Sequence, residues 1–364
     1  MNLDELLSNA AGKYPHNCAV IDEAGVFDFA QVQAGVSQES SRLCEMINGT
    51  GERVAIFVSN RPAFSVFYFA ILQAGGIAVP LNVLYSDEEI VSILTDCQAS
   101  VLVVESAYAK RCLALKPKIL NCKIIEVPSN PLVGISGVES ELLPRIPRGD
   151  ISSDETAVIL YTSGTTGEPK GVELTHTNLV SNAKCVSQEK FSTREVKNIL
   201  GPGDVGLAAL PLAHAFGQTN MQNGLWFSGA AIAYCPRFEA TQVIQQMMSR
   251  QVTFFAGVPT MYFDLVSAGR ELKRREGFAK LSTSLKFCVC GGAELDKSIK
   301  QEFTELFGVS IQESYGLTET SPMISCQTID RTEKSGSVGK PISNVKIRIV
   351  DRKNEIVGRG IPGE

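Results

Sequence analysis

The sequence contains little histidine and no closely paired cysteines, and both absences restrict its chemistry. Only 3 histidines occur among 364 residues. None of the 10 cysteines belongs to a Cys-x-x-Cys pair, so we expect no zinc site. The cysteines are scattered and lie mostly in apolar segments. This distribution predicts buried free thiols in a reducing cytosol rather than a disulfide framework.

Long apolar runs and basic stretches are also missing. No apolar run approaches the roughly 18 residues of a membrane-spanning helix, and the acidic, amphipathic residues 1–5 are unlike a signal peptide. Peripheral contact with a membrane stays open. The net charge of −5 and the lack of a basic run argue against nucleic acid as a partner. We therefore expect a cytoplasmic protein without a transmembrane segment.

The remaining composition is that of a globular enzyme, with 44% hydrophobic and 20% charged residues. A chain of 364 residues exceeds one ordinary core, so we expect two or three packed lobes. Apolar runs at 54–59, 77–81, 101–104 and 123–127 alternate with segments of helical periodicity. This alternation predicts an α/β fold of layered α-β-α lobes with mostly parallel sheets.

The texture of the chain changes twice, which predicts three regions. Residues 1–150 form a first α/β lobe that also contributes to the second, and a connector rich in proline covers 128–153. Residues 151–334 form a second α/β lobe that carries the ligand sites. Residues 335–364 are the start of a small β-barrel-like subdomain, because 345–350 alternates as a β-strand does.

The stretch on which the functional interpretation rests is 161–171, which reads Tyr-Thr-Ser-Gly-Thr-Thr-Gly-Glu-Pro-Lys-Gly. It follows a buried-strand run at 156–160. Glycine leaves backbone N–H groups uncovered, and the hydroxyls and Lys170 add further donors, so a polyphosphate is the expected ligand. The alternative is an ordinary Gly/Ser/Thr loop without a ligand. The spacing is not that of the NTPase P-loop.

As a whole string, residues 162–171 closely resemble the phosphate-binding signature of the adenylate-forming superfamily. That superfamily contains acyl- and aryl-CoA synthetases, firefly-type luciferases and the adenylation domains of peptide synthetases. The resemblance implies that this loop holds the β- and γ-phosphates of ATP. The implied phosphate contacts are Thr162, Ser163, Gly164, Thr165, Thr166, Gly167 and Lys170.

A second motif at 315–319 reads Tyr-Gly-Leu-Thr-Glu and follows a predicted strand. Taken alone, it is a turn beside an aromatic residue. It also resembles the superfamily's adenine and magnesium motif. The resemblance implies that Tyr315 packs on adenine, that Thr318 contacts the α-phosphate and that Glu319 binds Mg²⁺, an ion that prefers oxygen ligands. The further residues implied at the nucleotide are Ser314, Gly316, Gly291, Gly292 and Ala293.

A third motif, Pro-Leu-Ala-His-Ala-Phe-Gly at 211–217, resembles the segment that ends the superfamily's acid pocket. A lone histidine at a strand end is often structural, and that alternative stays open. The resemblance implies that His214 orients or gates the acid; a general base is not needed, since a carboxylic acid is already ionised at pH 7. The implied pocket residues are His214, Ala215, Phe216, Gly217, Val258, Pro259 and Met261. Each of these is also compatible with a plain core position.

With three motifs in order, the sequence from about residue 2 to 364 resembles the large amino-terminal domain of an AMP-forming acid–CoA ligase. The implied substrates are ATP, Mg²⁺, coenzyme A and a carboxylic acid, for which a fatty or other apolar acyl chain is favoured. The catalytic residues implied are Lys170, His214, Thr318 and Glu319. Lys340 departs from the family pattern, which has arginine in Gly-x-x-Gly-Arg-Pro, and a lysine weakens a bidentate contact.

Several alternatives stay open. A luciferase-like enzyme, an aryl-acid or amino-acid adenylation domain and an inactive nucleotide-binding fragment share the phosphate loop. The family's ribose-binding Thr-Gly-Asp and small carboxyl-terminal domain would follow residue 364, so the isolated fragment is expected to be poorly active. The main structural expectation is that the loop around residue 165 and Glu319 share one cleft.

Overall fold

The structure is a computed structural model and describes residues 1–135, 151–162, 169–189, 200–276, 283–327, 334 and 336–364. Its strands are β1 (Cys18–Asp22), β2 (Gly25–Asp28), β3 (Arg53–Phe57), β4 (Ile77–Pro80), β5 (Val101–Glu105), β6 (Lys123–Val127), β7 (Thr156–Thr162), β8 (Lys170–Thr175), β9 (Val205–Ala208), β10 (Ala231–Tyr234), β11 (Phe254–Gly257), β12 (Phe287–Cys290), β13 (Ile311–Gly316), β14 (Met323–Cys326) and β15 (Lys340–Pro341).

The α-helices of the described residues are α1 (Asp4–Lys13), α2 (Phe29–Cys44), α3 (Pro62–Gln73), α4 (Asp87–Asp96), α5 (Ser106–Ala114), α6 (His176–Lys184), α7 (Ala215–Gln218), α8 (Gly224–Ser228), α9 (Ala240–Ser249), α10 (Pro259–Glu276) and α11 (Lys297–Phe307). Short 3₁₀ turns lie at Lys116–Lys118 and Thr318–Thr320. Wider π-helical turns extend α6 at Cys185–Glu189 and join α7 to α8 at Thr219–Asn223.

The strands form two sheets. The first has six strands in the order β6-β5-β3-β4-β7-β8, parallel except for the edge strand β8. The second has nine strands in the order β15-β14-β13-β12-β11-β9-β10-β1-β2, with β2, β14 and β15 antiparallel to their neighbours. Two mostly parallel sheets with helices confirm the predicted α/β class.

Helices cover both faces of the six-stranded sheet, as β3 illustrates. Its side chains alternate between faces, as they must in a strand. Val54 and Ile56 belong to the large core that also contains α3, whereas Ala55 and Phe57 pack in a second core with α4 and α5. The alternation of apolar residues along β3 therefore builds a layered arrangement of helix, sheet and helix.

Local sequence signals fix several helix starts. Pro62 occupies the first turn of α3, where a missing N–H has no cost. The Ser86 side chain accepts a hydrogen bond from the Glu89 N–H, and the Glu89 carboxylate accepts one from the Ser86 N–H, which completes a capping box at the start of α4. These starts place α3 and α4 against opposite faces of the same sheet.

The region after β15 differs from what its sequence pattern predicts. Residues 345–349 form no strand, and Val350 makes a single antiparallel bridge with Ile356. Ile347 and Ile349 remain 47% and 43% exposed. The expectation of a strand at 345–350 is wrong because its apolar side chains have no neighbouring strand to pair with. No barrel closes within the described residues.

The two sheets exchange chain segments across the predicted lobe boundary. Strands β7 and β8 join the six-stranded sheet, whereas β1 and β2 join the nine-stranded one. The division at 150 and 334 stays a prediction, and most of the predicted connector, 136–150, lies outside the described residues. Among the helices that the structure describes, none has the length and apolarity required to cross a membrane.

Four parallel strands of the nine-stranded sheet position the site. Strands β13, β12, β11 and β9 are consecutive neighbours, so their carboxyl ends meet at one edge of the sheet. The chain after β9 reaches His214, the chain after β12 reaches Gly291, and β13 itself ends at Gly316. Residues far apart in sequence therefore lie side by side at this edge.

Candidate active site

A cavity of about 160 Å³ opens at this edge. Its lining residues are His214, Ala215, Phe216, Gly291, Gly292, Ser314, Tyr315, Gly316, Leu317, Thr318, Pro322 and Met323. The second and third motifs are represented among these residues, together with Gly291 and Gly292, whereas no described residue of the 161–171 motif is among them. Leu317, Pro322 and Met323 were not predicted. Leu317 lies inside the second motif, so its position was a usable signal, whereas Pro322 and Met323 enter the wall because the chain folds back after the motif.

Glycine is required where the segments of the wall touch. A Cβ atom on Gly291 would lie 2.9 Å from Ser314 Oγ and 3.1 Å from Phe216 Cζ. A Cβ atom on Gly316 would collide with the carbonyl oxygen of Pro322. Ser314 is itself fixed, because its Oγ donates to the Cys290 carbonyl at 3.1 Å. The backbone at Gly291 is therefore open to the cavity.

Tyr315 and Glu319 extend outward from the hairpin of β13 and β14. Tyr315 is 46% exposed, and Glu319 lies on an exposed 3₁₀ turn. The turn closes by a hydrogen bond from the Leu317 N–H to the Pro322 carbonyl at 2.9 Å. Tyr315 and Thr318 therefore line the cavity with an aromatic ring and a hydroxyl, and the Glu319 carboxylate is exposed on the same turn.

His214 lies at the start of α7, and its ring nitrogen Nε2 is 3.1 Å from Asn82 Nδ2. The Asn82 amide has a defined orientation, since its Oδ1 accepts the Leu84 N–H at 3.0 Å. Asn82 therefore donates, and Nε2 must be the unprotonated acceptor. Although the ring keeps an exposed edge, its enclosure by the cavity walls lowers the pKa of His214 from the ordinary value. Both observations indicate a neutral imidazole.

Asn60 fixes the backbone just before His214. Its Nδ2 donates to the carbonyls of Ala208 and Leu210 at 3.0 and 2.7 Å. Its Oδ1 accepts the Leu212 N–H at 2.9 Å. Asn60 and Asn82 both follow strands of the six-stranded sheet, so that sheet holds the loop that the nine-stranded sheet presents. Neither residue carries a local sequence signal that could have identified it.

The phosphate-loop motif is described only at its two ends. Thr162, at the end of β7, is paired with Lys170, at the start of β8. Lys170 is exposed. Ser163, Gly164, Thr165, Thr166 and Gly167 lie outside the described residues. Strand β8 approaches the Thr318–Thr320 turn, with Cα atoms within 8 Å. The expectation that the loop around residue 165 and Glu319 share one cleft falls on residues outside the described ranges.

The other predicted pocket residues lie outside the lining of this cavity. Gly217 is buried against the Pro211 carbonyl, and Met261 is buried. Val258 lies next to Gly292, with its Cγ1 3.5 Å from the position of a Cβ there. Pro259 is half-buried at the start of α10, and Ala293 is exposed beside Gly292.

Two cysteines and a histidine that the motifs left over are buried. Burial raises the pKa of Cys290 to about 12 and raises that of Cys288, so neither thiol is a nucleophile. Burial lowers the pKa of His176 to about 4. Its Nδ1 accepts the Leu3 N–H at 3.0 Å, which is the structural role expected for it.

The chain is similar to known proteins in both sequence and fold. Residues 7–364 match the family described as AMP-binding enzyme. The chain is 28% identical to a long-chain-fatty-acid–CoA ligase of Bacillus subtilis over 93% of this chain and 64% of the relative. It is 30% identical to a feruloyl-CoA synthase of Amycolatopsis over 96% of this chain and 66% of the relative.

A solved structure of ATP-bound MatB from Rhodopseudomonas palustris superposes with a TM-score of 0.82 and 26% identity. The match covers 99% of this chain and 69% of that one. This chain belongs to the AMP-binding enzyme family, which confirms the resemblance of its motifs to adenylate-forming enzymes. It spans about two thirds of the length of these relatives.

Proposed function

We propose that this protein is an AMP-forming acid–CoA ligase. It joins a carboxylic acid to ATP to give an acyl adenylate and then transfers the acyl group to coenzyme A. The observation that carries the proposal is the cavity in which His214, Gly291, Tyr315 and Thr318 meet, beside the strand that begins at Lys170. Relatives named as CoA ligases support the same assignment.

The nucleotide occupies the side of the cavity formed by β12 and β13. Adenine stacks on the half-exposed ring of Tyr315. The backbone of Gly291, Gly292 and Ala293 lines the base because glycine permits close approach. Ser314 and Gly316 shape the same wall, since both line the cavity.

The phosphates lie between the hairpin of β7 and β8 and the Thr318 turn. Lys170 and Thr162 contact the outer phosphates together with the loop residues 163–167, and the Thr318 hydroxyl contacts the α-phosphate. Nucleotidyl transfer requires mainly positioning and neutralisation of charge. A mobile lysine and a hydroxyl on facing elements are suited to both tasks.

Glu319 is the residue that would hold Mg²⁺. Its carboxylate is exposed, and within the described ranges it has no hydrogen bond or ion pair. The described residues also contain no group of three or more His, Cys, Asp or Glu that could hold a metal. A single carboxylate fits Mg²⁺, which commonly takes one or two carboxylates together with phosphate oxygens and water. The ion would neutralise phosphate charge.

The acid binds from the side of His214 and Phe216. Its carboxylate oxygen attacks the α-phosphorus, and the bond to pyrophosphate breaks. The acid is ionised at pH 7 and needs no base, so the neutral His214 orients it. The thiolate of coenzyme A then attacks the acyl carbonyl carbon, and AMP leaves. Phe216 lines the cavity and favours an apolar acid, of which a fatty acid is the first candidate.

Acid-dependent exchange of labelled pyrophosphate into ATP tests the first half-reaction. We expect the full-length protein to catalyse exchange with an apolar acid and to form its CoA thioester. The Lys170→Ala variant should lose exchange by about 10²–10³-fold, since a charge that stabilises the transition state is removed. Lys273→Ala, on the exposed end of α10, is the matched control and should retain activity.

Each other outcome identifies a different function. Exchange without thioester formation would indicate another adenylate-forming enzyme, such as a luciferase-like or amino-acid-activating one. If the protein binds ATP but catalyses no exchange with any carboxylic acid tested, it is a nucleotide-binding module, and the proposal is overturned.

A further inference from the structure

A buried asparagine on α6 is bonded to the backbone that follows the Thr318 turn. Asn182 is 5% exposed. Its Nδ2 donates to the Met323 carbonyl at 3.0 Å and to the Thr320 carbonyl at 3.4 Å. Its Oδ1 accepts the Met323 N–H at 3.3 Å. The side-chain amide thus bonds Met323 as a neighbouring strand would, through both its N–H and its C=O.

The segment that Asn182 holds has an irregular backbone. Ser321 has a positive φ of 75°, which is uncommon for a residue with a side chain. Pro322, which follows it, has no N–H to donate. Thr219, in the π-helical turn before α8, adds one more tie, because its Oγ1 donates to the Ser321 carbonyl at 3.2 Å. Asn182 and Thr219 therefore fix the irregular backbone between Thr318 and β14 from two helices.

Helix α6 also connects this turn to the hairpin of β7 and β8. It begins at His176, directly after β8, and β8 begins at Lys170. The side chain of Thr175 accepts the Asn178 N–H at 3.2 Å, which anchors the start of α6 to the end of β8. Asn182, six residues after the start of α6 at His176, bonds the backbone of Thr320 and Met323. One short rigid element therefore links the lysine hairpin to the turn that carries Glu319.

We propose that Asn182 is a positioning residue that holds the Thr318–Glu319 turn in place relative to the hairpin of Lys170. Its catalytic consequence rests on the proposed ligase function; its structural consequence does not. The function requires Thr318 and Glu319 to face phosphates held from the other side, and a displacement of about 1 Å at such a site can reduce the rate by about 10²-fold.

The first experiment compares Asn182→Ala with Asn178→Ala by hydrogen–deuterium exchange without substrates. Asn178 is the matched control, because it is an exposed asparagine on the same helix whose amide bonds only Thr175. We expect Asn182→Ala to increase deuterium uptake in peptides covering 315–326 and to leave peptides covering β9 unchanged. Unchanged uptake at 315–326 would overturn the proposal, whatever reaction the protein catalyses.

The second experiment measures pyrophosphate exchange at saturating acid. We expect Asn182→Ala to lower kcat by about 10–100-fold, as loss of groups that orient a metal ligand commonly does, with the KM for the acid unchanged. Asn178→Ala should keep the wild-type kcat. If both variants lose activity equally, Asn182 contributes only to folding, and the proposal is wrong. Absence of exchange in the wild type would instead contradict the ligase function alone.

A double-mutant cycle separates positioning from general stability. If Asn182 acts by placing Glu319, then Asn182→Ala should have little further effect on exchange in a Glu319→Gln background. Multiplication of the two losses would contradict the proposal. Should Asn182→Ala not fold, Thr219→Val replaces it, since this near-isosteric change removes the bond to the Ser321 carbonyl. It should raise uptake at 315–326 to a smaller degree, and unchanged uptake there would count against the proposal.

Discussion

The two sheets contribute different kinds of residues to the site. The nine-stranded sheet and the loops that follow its strands contribute the residues that line the cavity, among them the small Gly291 and the half-exposed Tyr315. The six-stranded sheet and the helix after it contribute asparagines that bond backbone. Asn60 and Asn182 are buried, and both ends of each amide have partners. The cavity is therefore lined from the side of the nine-stranded sheet, and these asparagines hold its loops in position.

This division has a physical reason. Loops at strand ends carry backbone groups that no neighbouring strand satisfies, and a buried backbone group without a partner is costly. An asparagine amide supplies both a donor and an acceptor in a compact side chain. It can therefore replace a missing strand at Met323 or at Leu212 while leaving the cavity side of the loop free for a ligand.

The largest expected effect comes from removing the charge of Glu319, which lies on the turn after β13 of the nine-stranded sheet. Glu319→Gln preserves size but loses the carboxylate expected to hold Mg²⁺. We expect pyrophosphate exchange to fall by about 10²–10³-fold with unchanged thermal stability, since the group acts on charge that develops during reaction. The control is Glu305→Gln on α11, an exposed glutamate whose carboxylate bonds Gln301. Equal losses in both variants would show that the effect comes from removing any surface carboxylate and not from the position of Glu319.

A smaller effect is expected from adding a side chain at Gly291, where segments of the cavity lining touch. Gly291→Ala places a Cβ atom against Ser314 and Phe216. Overpacking at such a site costs about 1–3 kcal/mol, so we expect kcat/KM for ATP or the acid to fall about tenfold. Gly49→Ala is the control, because a Cβ atom there meets nothing within 4 Å. An unchanged kcat/KM in the Gly291→Ala variant would mean that this part of the cavity lining does not contact the substrate.

The smallest effect concerns Asn82, which follows β4 of the six-stranded sheet. Asn82→Ala removes a hydrogen bond worth about 0.5–1.5 kcal/mol, so we expect kcat/KM to fall only about 2–10-fold. The Asn82 amide stabilises the neutral imidazole, so its loss should raise the pKa of His214. Protonation of His214 then begins at higher pH in the variant, and its deficit should widen as the pH falls below about 6.5.

Proton NMR titration of the imidazole resonances checks this shift directly. With 3 histidines in the chain, the signals are few. His176, whose pKa is about 4 because of burial, serves as an internal reference that Asn82→Ala should not change. An unchanged pKa of His214 in the variant would show that Asn82 does not donate a hydrogen bond to this imidazole. It would also contradict the supporting role given to Asn82.

Much of the fold was predictable because it depends on local periodicity. The strand runs at 54–59 and 101–104 and the capping box at Ser86 are all present in the structure. The alternating run at 345–350 shows the limit of such reasoning. Its pattern is that of a strand, but a strand forms only where another strand or a core accepts it, and local sequence does not state whether one is near.

The same distinction applies to the site. Sequence alone determined the three motifs, because the chemistry of a phosphate loop, of Tyr315 to Glu319 and of His214 is carried by residues adjacent in the chain. Only the tertiary structure decided which residues hold them. Asn82 lies 132 residues from His214, and Asn182 lies 141 residues from Met323. An asparagine carries no local sign of such a partner, because its hydrogen bonds depend on which strand ends the sheets bring together.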